Sequence, residues 1–387
     1  MRRIPFATIL KSVFLFGLFL LHPYLTTAHQ GSHMTSQPRR EKKILDYRGV
    51  AFIAMKNLNR FESVKDDSTG FTILLSKTID SPIPFNEAVL SWNVDAPPGT
   101  GIETEIQVQI GESKSRWYNM GRWSQDALLF PRESVKGQKD EDGNVETDTL
   151  VLKIPAKNFQ LRLTLKPDSA GTLPNIKFLG VSLIETKAVD DPLAPLKSVW
   201  GKEIVVPGKS QSGYPDSKGW CSPTSADMIL SFWSKRLNRP ELDMPVPDAA
   251  HAVFDKAYDG TGNWSFNMAY AGSFTNIRAY VARFSDIREL ESWVEKGLPV
   301  VVSVSYDLLK GKTIDNDPGH LMVCDGFTES GDIVLNDPAH HPEKGEACRK
   351  IFPRANFLKG WKRSRNTVYL IYAEGTKLPR NIYGHWE

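Results

Sequence analysis

What is scarce in this sequence narrows its function before anything present does. There are only three cysteines, Cys221, Cys324 and Cys348, and no CxxC pair. That excludes a disulfide scaffold, a zinc ribbon and a thioredoxin-type motif. No HExxH pattern occurs, so the usual hydrolytic zinc motif is missing. Neither sign of charge dominates: residues 29–200 carry 22 basic and 22 acidic side chains, and residues 201–387 carry 23 of each. Phosphate backbones are held by an excess of Lys and Arg, and no RNA-binding signature accompanies this balance, so no nucleic-acid partner is expected. Long apolar runs are lacking too. Val13 to Leu21 covers nine residues, far short of the roughly 20 that span a bilayer. No internal repeat is visible.

That apolar run nevertheless has a meaning. Arg2 and Arg3 precede it, and Thr26-Thr27-Ala28 follow it as a small-residue cleavage site. Residues 1–28 therefore read as a signal peptide, with 29–44 as a polar, flexible leader. No cysteine precedes Cys221, so there is no lipobox. The mature protein is expected to be exported, periplasmic or extracellular, with no integral membrane segment after signal cleavage. Thiols can oxidise there.

The remaining chain is long enough for two domains. From 45 to 186 it shows short alternating or apolar runs, such as Ile102 to Ile110 and Leu161 to Leu165, separated by turn clusters. This spacing, without a long amphipathic helix, predicts an all-β sandwich. Residues 133–148 are very polar and read as a long exposed loop. Residues 187–203, with Asp190-Asp191-Pro192-Leu193-Ala194-Pro195, read as a linker. From 204 to 387 the pattern becomes α+β. Helices are expected at 221–236 and about 286–296, the second with Glu289 in a capping box. An apolar run at 298–304 has the signature of a central strand. Strands at 320–326 and 332–337 flank a turn, and a last strand covers 368–372.

Three segments of this second half carry chemistry: Gly219-Trp220-Cys221-Ser222-Pro223-Thr224-Ser225, Gly319-His320-Leu321 and Asn336-Asp337-Pro338. Pro223 suits the first turn of a helix, which places Cys221 at the helix amino terminus, where free N–H groups favour a thiolate. A lone cysteine is as readily a buried filler. His320 and Asp337 change that. With an even-numbered loop near 328–331, opposed residues of the hairpin sum to an odd number such as 657 or 659. Asp337 then shares a sheet face with His320, directly opposite or diagonally adjacent. A base and its orienting partner need that arrangement. Gln211, ten residues before the cysteine, can donate to a developing oxyanion. Asp337, His340 and His341 lie close in sequence, but Asp-x-x-His-His fits no zinc spacing. Neither a metal nor another cofactor is expected. His251 and His385 have no identifiable partner. Three thiols in an oxidising compartment leave one unpaired, and chemistry needs Cys221 free, so a Cys324–Cys348 disulfide is expected.

Val206-Pro207-Gly208-Lys209-Ser210-Gln211, Trp220-Cys221-Ser222-Pro223-Thr224-Ser225, Gly319-His320 before an apolar strand ending Asp325-Gly326-Phe327, and Val334-Leu335-Asn336-Asp337-Pro338 together resemble a papain-like cysteine peptidase. The similarity is to cysteine peptidase family thirty-nine, the bacteriocin-processing or double-glycine peptidases, in a secreted branch without a transporter, and it spans about residues 204–374. It implies Cys221 as nucleophile, His320 as base, Asp337 as orienter and Gln211 as oxyanion donor. Asn263-Trp264-Ser265-Phe266-Asn267 is similar to the same branch. With Trp220, this puts Trp264 and Asn267 forward as substrate-binding residues, although core and turn packing would explain them equally. The family's glycine after the cysteine is Ser222 here. The first half resembles galactose-binding-like jelly rolls only in general terms, which leaves a glycan or cell-wall ligand open. The function implied is thiol-dependent hydrolysis of a peptide or protein substrate through an acyl-enzyme. The alternatives are a cell-wall (peptidoglycan) amidase or endopeptidase, and a non-catalytic glycan-binding protein with a degenerate papain-like domain.

Overall fold

A computed structural model describes residues 45–189 and 191–387, and Leu45–Glu387 form one compact unit. The signal and leader expected at 1–44 lie outside the described residues. The first half is sheet-rich: β1 (Val50–Met55), β2 (Phe61–Lys65), β3 (Thr72–Ser76), β4 (Ile79–Asp95), β5 (Gly101–Ile110), β6 (Ser113–Lys114), β7 (Tyr118–Trp123), β8 (Gly143–Glu146), β9 (Thr149–Lys166) and β10 (Asn175–Ile184). All pairings are antiparallel, in the order β1-β10-β4-β9-β3-β2, with β5 and β8 also on β9 and β7 on β5. Strand alternation sets the inner face. In β5, Ile102, Thr104, Ile106 and Val108 are buried while Glu103, Glu105 and Gln107 are half-exposed, the mark of a sheet with one wet side. Glu105 opposes Arg162 of β9 and is ion-paired with it.

The second half contains α1 (Cys221–Leu237), α2 (Val246–Val253), α3 (Trp264–Ala271), β11 (Ile277–Arg283), α4 (Ile287–Glu295), β12 (Val300–Val304), α5 (Tyr306–Leu309), β13 (His320–Phe327), β14 (Ile333–Asn336), β15 (Arg349–Phe352), α6 (Arg354–Lys362) and β16 (Thr367–Ala373). Its antiparallel sheet runs β11-β16-β12-β13-β14-β15, so the apolar β12 is indeed central. At α4, Asp286 accepts from Arg288 N–H and Glu289 reaches back to Ser285 N–H at 2.7 Å, one position earlier than a standard capping box.

The two halves share one apolar cluster, in which Trp92 and Trp123 meet Phe266 at 6.1 and 5.4 Å. Residues Ala88 to Val94 are buried on both faces for this reason. β11 is the sheet's edge, and the side chains of β4 close it: Asn93 pairs with both backbone groups of Ala279, at 2.7 and 3.1 Å, and Ser91 accepts from Val281 N–H at 3.0 Å. Such capping removes an open template for strand addition.

Three expectations fail here. Residues 133–148 are not an exposed loop: Ser134, Gln138 and Asp148 are buried, and β8 runs through the segment. Their polar groups are bonded rather than hydrated, Ser134 N–H to Asp255 and Gln138 to both backbone groups of Asn119. His385 is not partnerless: it is fully buried, with Nδ1 2.8 Å from Glu289 and Nε2 2.8 Å from the Tyr47 carbonyl. No Cys324–Cys348 disulfide forms, and all three cysteines are free thiols. Cys324 opposes Leu335 of β14, which opposes Lys350 of β15. Two strand spacings separate them, roughly 9.5 Å, beyond the roughly 7 Å Cα reach of a disulfide. Cys348 lies two residues before Lys350, beside Asp337.

Candidate active site

Cys221 is the first residue of α1 and is 8% exposed. Three bonds seat this helix. Ser222 Oγ lies 2.7 Å from the Tyr369 hydroxyl of β16, Trp233 Nε1–H donates to the Ile371 carbonyl at 3.0 Å, and Ser225 Oγ–H donates to the Leu321 carbonyl at 3.0 Å. The last one ties the Cys221 helix to the residue after His320. Lys209 pins the loop before the helix to Asp227 and Asp243, at 2.6 and 2.7 Å.

His320 opens β13, preceded by Gly319 at φ +113°, a conformation that only glycine adopts without strain. Val323 opposes Asn336 and Cys324 opposes Leu335, so opposed residues sum to 659. Asp337 is therefore the diagonal neighbour of His320 on the same face, and Nε2 meets Asp337 Oδ1 at 2.8 Å. A carboxylate only accepts, so Nε2 carries the proton and Nδ1 is left for the thiol. Cys221 acts on the ring as well, favouring its charged form. Burial opposes the charged ring, but the bonds to Asp337 and Cys221 outweigh it, and the His320 pKa is pushed up to about 9. Burial likewise disfavours ionised Asp337. The bonds from His320, Lys350 and Tyr306 override that and hold its carboxyl well below the usual range.

Gln211 Nε2 and Trp220 N–H both donate to the Ser217 carbonyl, at 3.3 and 3.1 Å. Gln211 N–H also donates to Pro338 at 2.8 Å. The amide thus sits between the helix start and the Asp337 loop, with one N–H uncommitted. A cleft of about 710 Å³ opens at Cys221 and Gly219, with Trp264 in its wall and Glu87, Thr147 and Asp148 contributed by the first half. Asp148 is locked there by accepting Trp264 N–H.

Two family matches bear on this geometry. Residues 54–183 match the family described as Peptidase C39 N-terminal domain, and residues 203–369 match the Peptidase_C39 like family. The chain belongs to the C39-like peptidases. It is, accordingly, a cysteine peptidase. No curated protein matches the chain.

Within this C39-like peptidase the other expected positions divide. Trp264 lines the cleft. Trp220 is half-buried next to Cys221, stacked on Tyr214 at 6.0 Å and edge-on to His251 at 6.1 Å, and does not line the cleft. Asn267 is fully buried and its amide N–H groups are spent on the carbonyls of Thr261 and Asn263. It holds a turn and has no surface for substrate. Ser222, where the family has glycine, turns its hydroxyl into the core. His340 and His341 diverge, the first donating to the Asp337 carbonyl and the second pairing with Glu343.

Sequence reasoning missed Tyr306 and Lys350. Tyr306 gives its hydroxyl to Asp337 Oδ2 at 2.6 Å and lays its ring 4.7 Å from the His320 imidazole. Lys350 Nζ reaches the same oxygen at 2.8 Å. Neither has a local signature. The polar 133–148 stretch hid the cleft wall, although its acidic density at Glu146 and Asp148 was a signal.

Proposed function

We propose that this protein is an exported thiol peptidase that cleaves peptide bonds through a covalent acyl-enzyme. The observation that carries the reading is buried His320 held by buried Asp337 at 2.8 Å, with Cys221 at the start of α1 acting on the same ring. Cys221 sulfur attacks the scissile carbonyl carbon, and the oxyanion is held by Cys221 N–H and Gln211. The C–N bond breaks as imidazolium His320 hands its proton to the leaving amine. Water, losing a proton to His320, then adds to the thioester. The C–S bond breaks and the acid product leaves. Export rests on the Arg2-Arg3 start, the apolar run and the small-residue site at 26–28. The jelly-roll reading of the first half rests on its wholly antiparallel pairing and on β1 lying beside β10, its last strand.

The test is hydrolysis of unfolded casein by the purified full chain. Cys221→Ala is expected to abolish cleavage. Gln211→Ala should lower turnover about a hundredfold, as for a lost oxyanion donor, while leaving iodoacetamide alkylation of Cys221 nearly unchanged. Cleavage that survives Cys221→Ala would end this reading.

A further inference from the structure

Asp337 spends its two carboxylate oxygens differently. Oδ1 accepts from His320 Nε2 at 2.8 Å and from Ala339 N–H at 2.9 Å. Oδ2 accepts from Tyr306 at 2.6 Å and from Lys350 at 2.8 Å. The Asp337 side chain is fully buried and that of Lys350 is 28% exposed. Among the described residues, His320 and Lys350 are the cations at ion-pair distance from this carboxylate. Only one of the two charges is permanent. The base of a Cys-His-Asp site is charged in one half of the cycle and neutral in the other. On the reading of Cys221 as nucleophile, we propose that Lys350 is a positioning residue that keeps Asp337 ionised while His320 is neutral, and thereby sustains deacylation.

During acylation the imidazolium itself stabilises the carboxylate. Once its proton has left with the amine, His320 is neutral and must draw the next proton from water through Nδ1. A buried carboxylate without a cation beside it takes up a proton. Protonated, Asp337 would no longer hold Nε2–H, and the tautomer with a lone pair on Nδ1 would be lost. Lys350 supplies the missing cation at that moment. Tyr306 has a different part: its neutral hydroxyl adds a bond that favours the carboxylate but no charge, and its ring rests on the imidazole and fixes its place.

The other groups around the carboxylate do not substitute for Lys350. His340 Nδ1 and Cys348 Sγ meet the Asp337 backbone carbonyl, at 2.7 and 3.7 Å, not its side chain. Lys310 lies over the Tyr306 ring at 3.6 Å, and Asp317 and Glu346 act on the Tyr306 hydroxyl. Cys221 acts on His320, not on the carboxylate.

p-Nitrophenyl acetate separates the two half-reactions in the full-length protein. Cys221 thiolate bonds to the acetyl carbon as the ester C–O bond breaks, and p-nitrophenol leaves with the proton of imidazolium His320. Water then adds to the thioester and gives a proton to His320, and acetic acid departs as the C–S bond breaks, restoring the thiolate and the imidazolium. The burst reads acylation and the steady state reads deacylation. Lys350→Met should leave the burst within about twofold, slow the steady state roughly tenfold at pH 6, and move its acid limb up by about one pH unit. Lys350→Arg should behave as wild type. Tyr306→Phe should slow both phases together and move the limb less than Lys350→Met does. An unmoved acid limb in Lys350→Met, an equal slowing of both phases, or an arginine variant that behaves like methionine overturns the role. A burst that persists in Cys221→Ala, or none in wild type, defeats the thiol reading itself, and the role of Lys350 goes with it.

Discussion

His320 and Asp337 bring opposite pH dependences to one contact. The folded-state pKa of His320 is raised to about 9 against the burial that opposes its charge, by bonds to Asp337 and Cys221. Its contribution to stability is complete below about pH 6.5, the unfolded value, and is lost as pH rises through about 9. Asp337 is depressed, so its contribution is complete above about pH 3.9 and fades as pH falls from there. The pair therefore stabilises most between roughly pH 4 and 6.5. Urea unfolding should show that plateau and a decline toward pH 9.5. Asp337→Ala should flatten the decline and cost about 3–5 kcal/mol at pH 6, because it leaves the buried imidazolium of His320 without its anion. Peptidase activity should fall above about pH 9, where His320 no longer holds the proton for the leaving amine. How much of this site was legible turns on parity. The same-face pairing of His320 and Asp337 follows from the period of a strand, yet the assumed even loop is wrong. Phe327 opposes Ile333 around a five-residue loop, and a register shift at Asp325 restores the odd sum at the site end. Tyr306 and Lys350 were illegible because they arrive from α5 and β15 by tertiary placement. The disulfide expectation counted thiols without knowing that two strand spacings part them.

At the scale of elements, the decisive contact is β4 against α3 and β11. Gly272, just after α3, lies under Asn93: a Cβ there would stand 2.1 Å from Asn93 Nδ2 and 2.3 Å from its Cγ. Asn93 cannot swing away without abandoning Ala279. Gly272→Ala should therefore destabilise by about 1–3 kcal/mol, the usual cost of overpacking, read as a lower midpoint in thermal unfolding. Gly297→Ala offers a contrast, since nothing lies within 4 Å of that position and only its φ of +71° resists the change. About half of the elements were legible from period and punctuation, the central strand and the Cys221 helix above all, while β1, β7, α3, β11 and β15 among others were not. Residues 133–148 were not, because composition equates polar with wet. Here the polar groups find partners inside, Ser134 on Asp255 and Asp148 on Trp264.

At the scale of the molecule, the cleft belongs to both halves. Arg132 of the first half donates to the carbonyls of His251 and Phe254, Arg283 of the second pairs with Glu87 at 3.0 Å, and Phe52 stacks on Tyr280 at 4.4 Å. Residues 198–387 made alone would bare the β11 edge and the α3 face. Calorimetry should then show no cooperative transition, where the full chain gives one; a sharp transition in the fragment would mean that the first half only decorates a self-sufficient enzyme. The place of β16 has a consequence in time. It is the last strand in the sequence, yet it lies between β11 and β12, and its Tyr369 and Ile371 are the seat of the helix that carries Cys221. Synthesis delivers the amino-terminal half first. The thiol-bearing helix is made more than a hundred residues before its seat, so a nascent chain carries Cys221 well before the strand that holds it in place. Such a peptidase is silent on the ribosome and gains its cutting edge only when Thr367–Ala373 slide home.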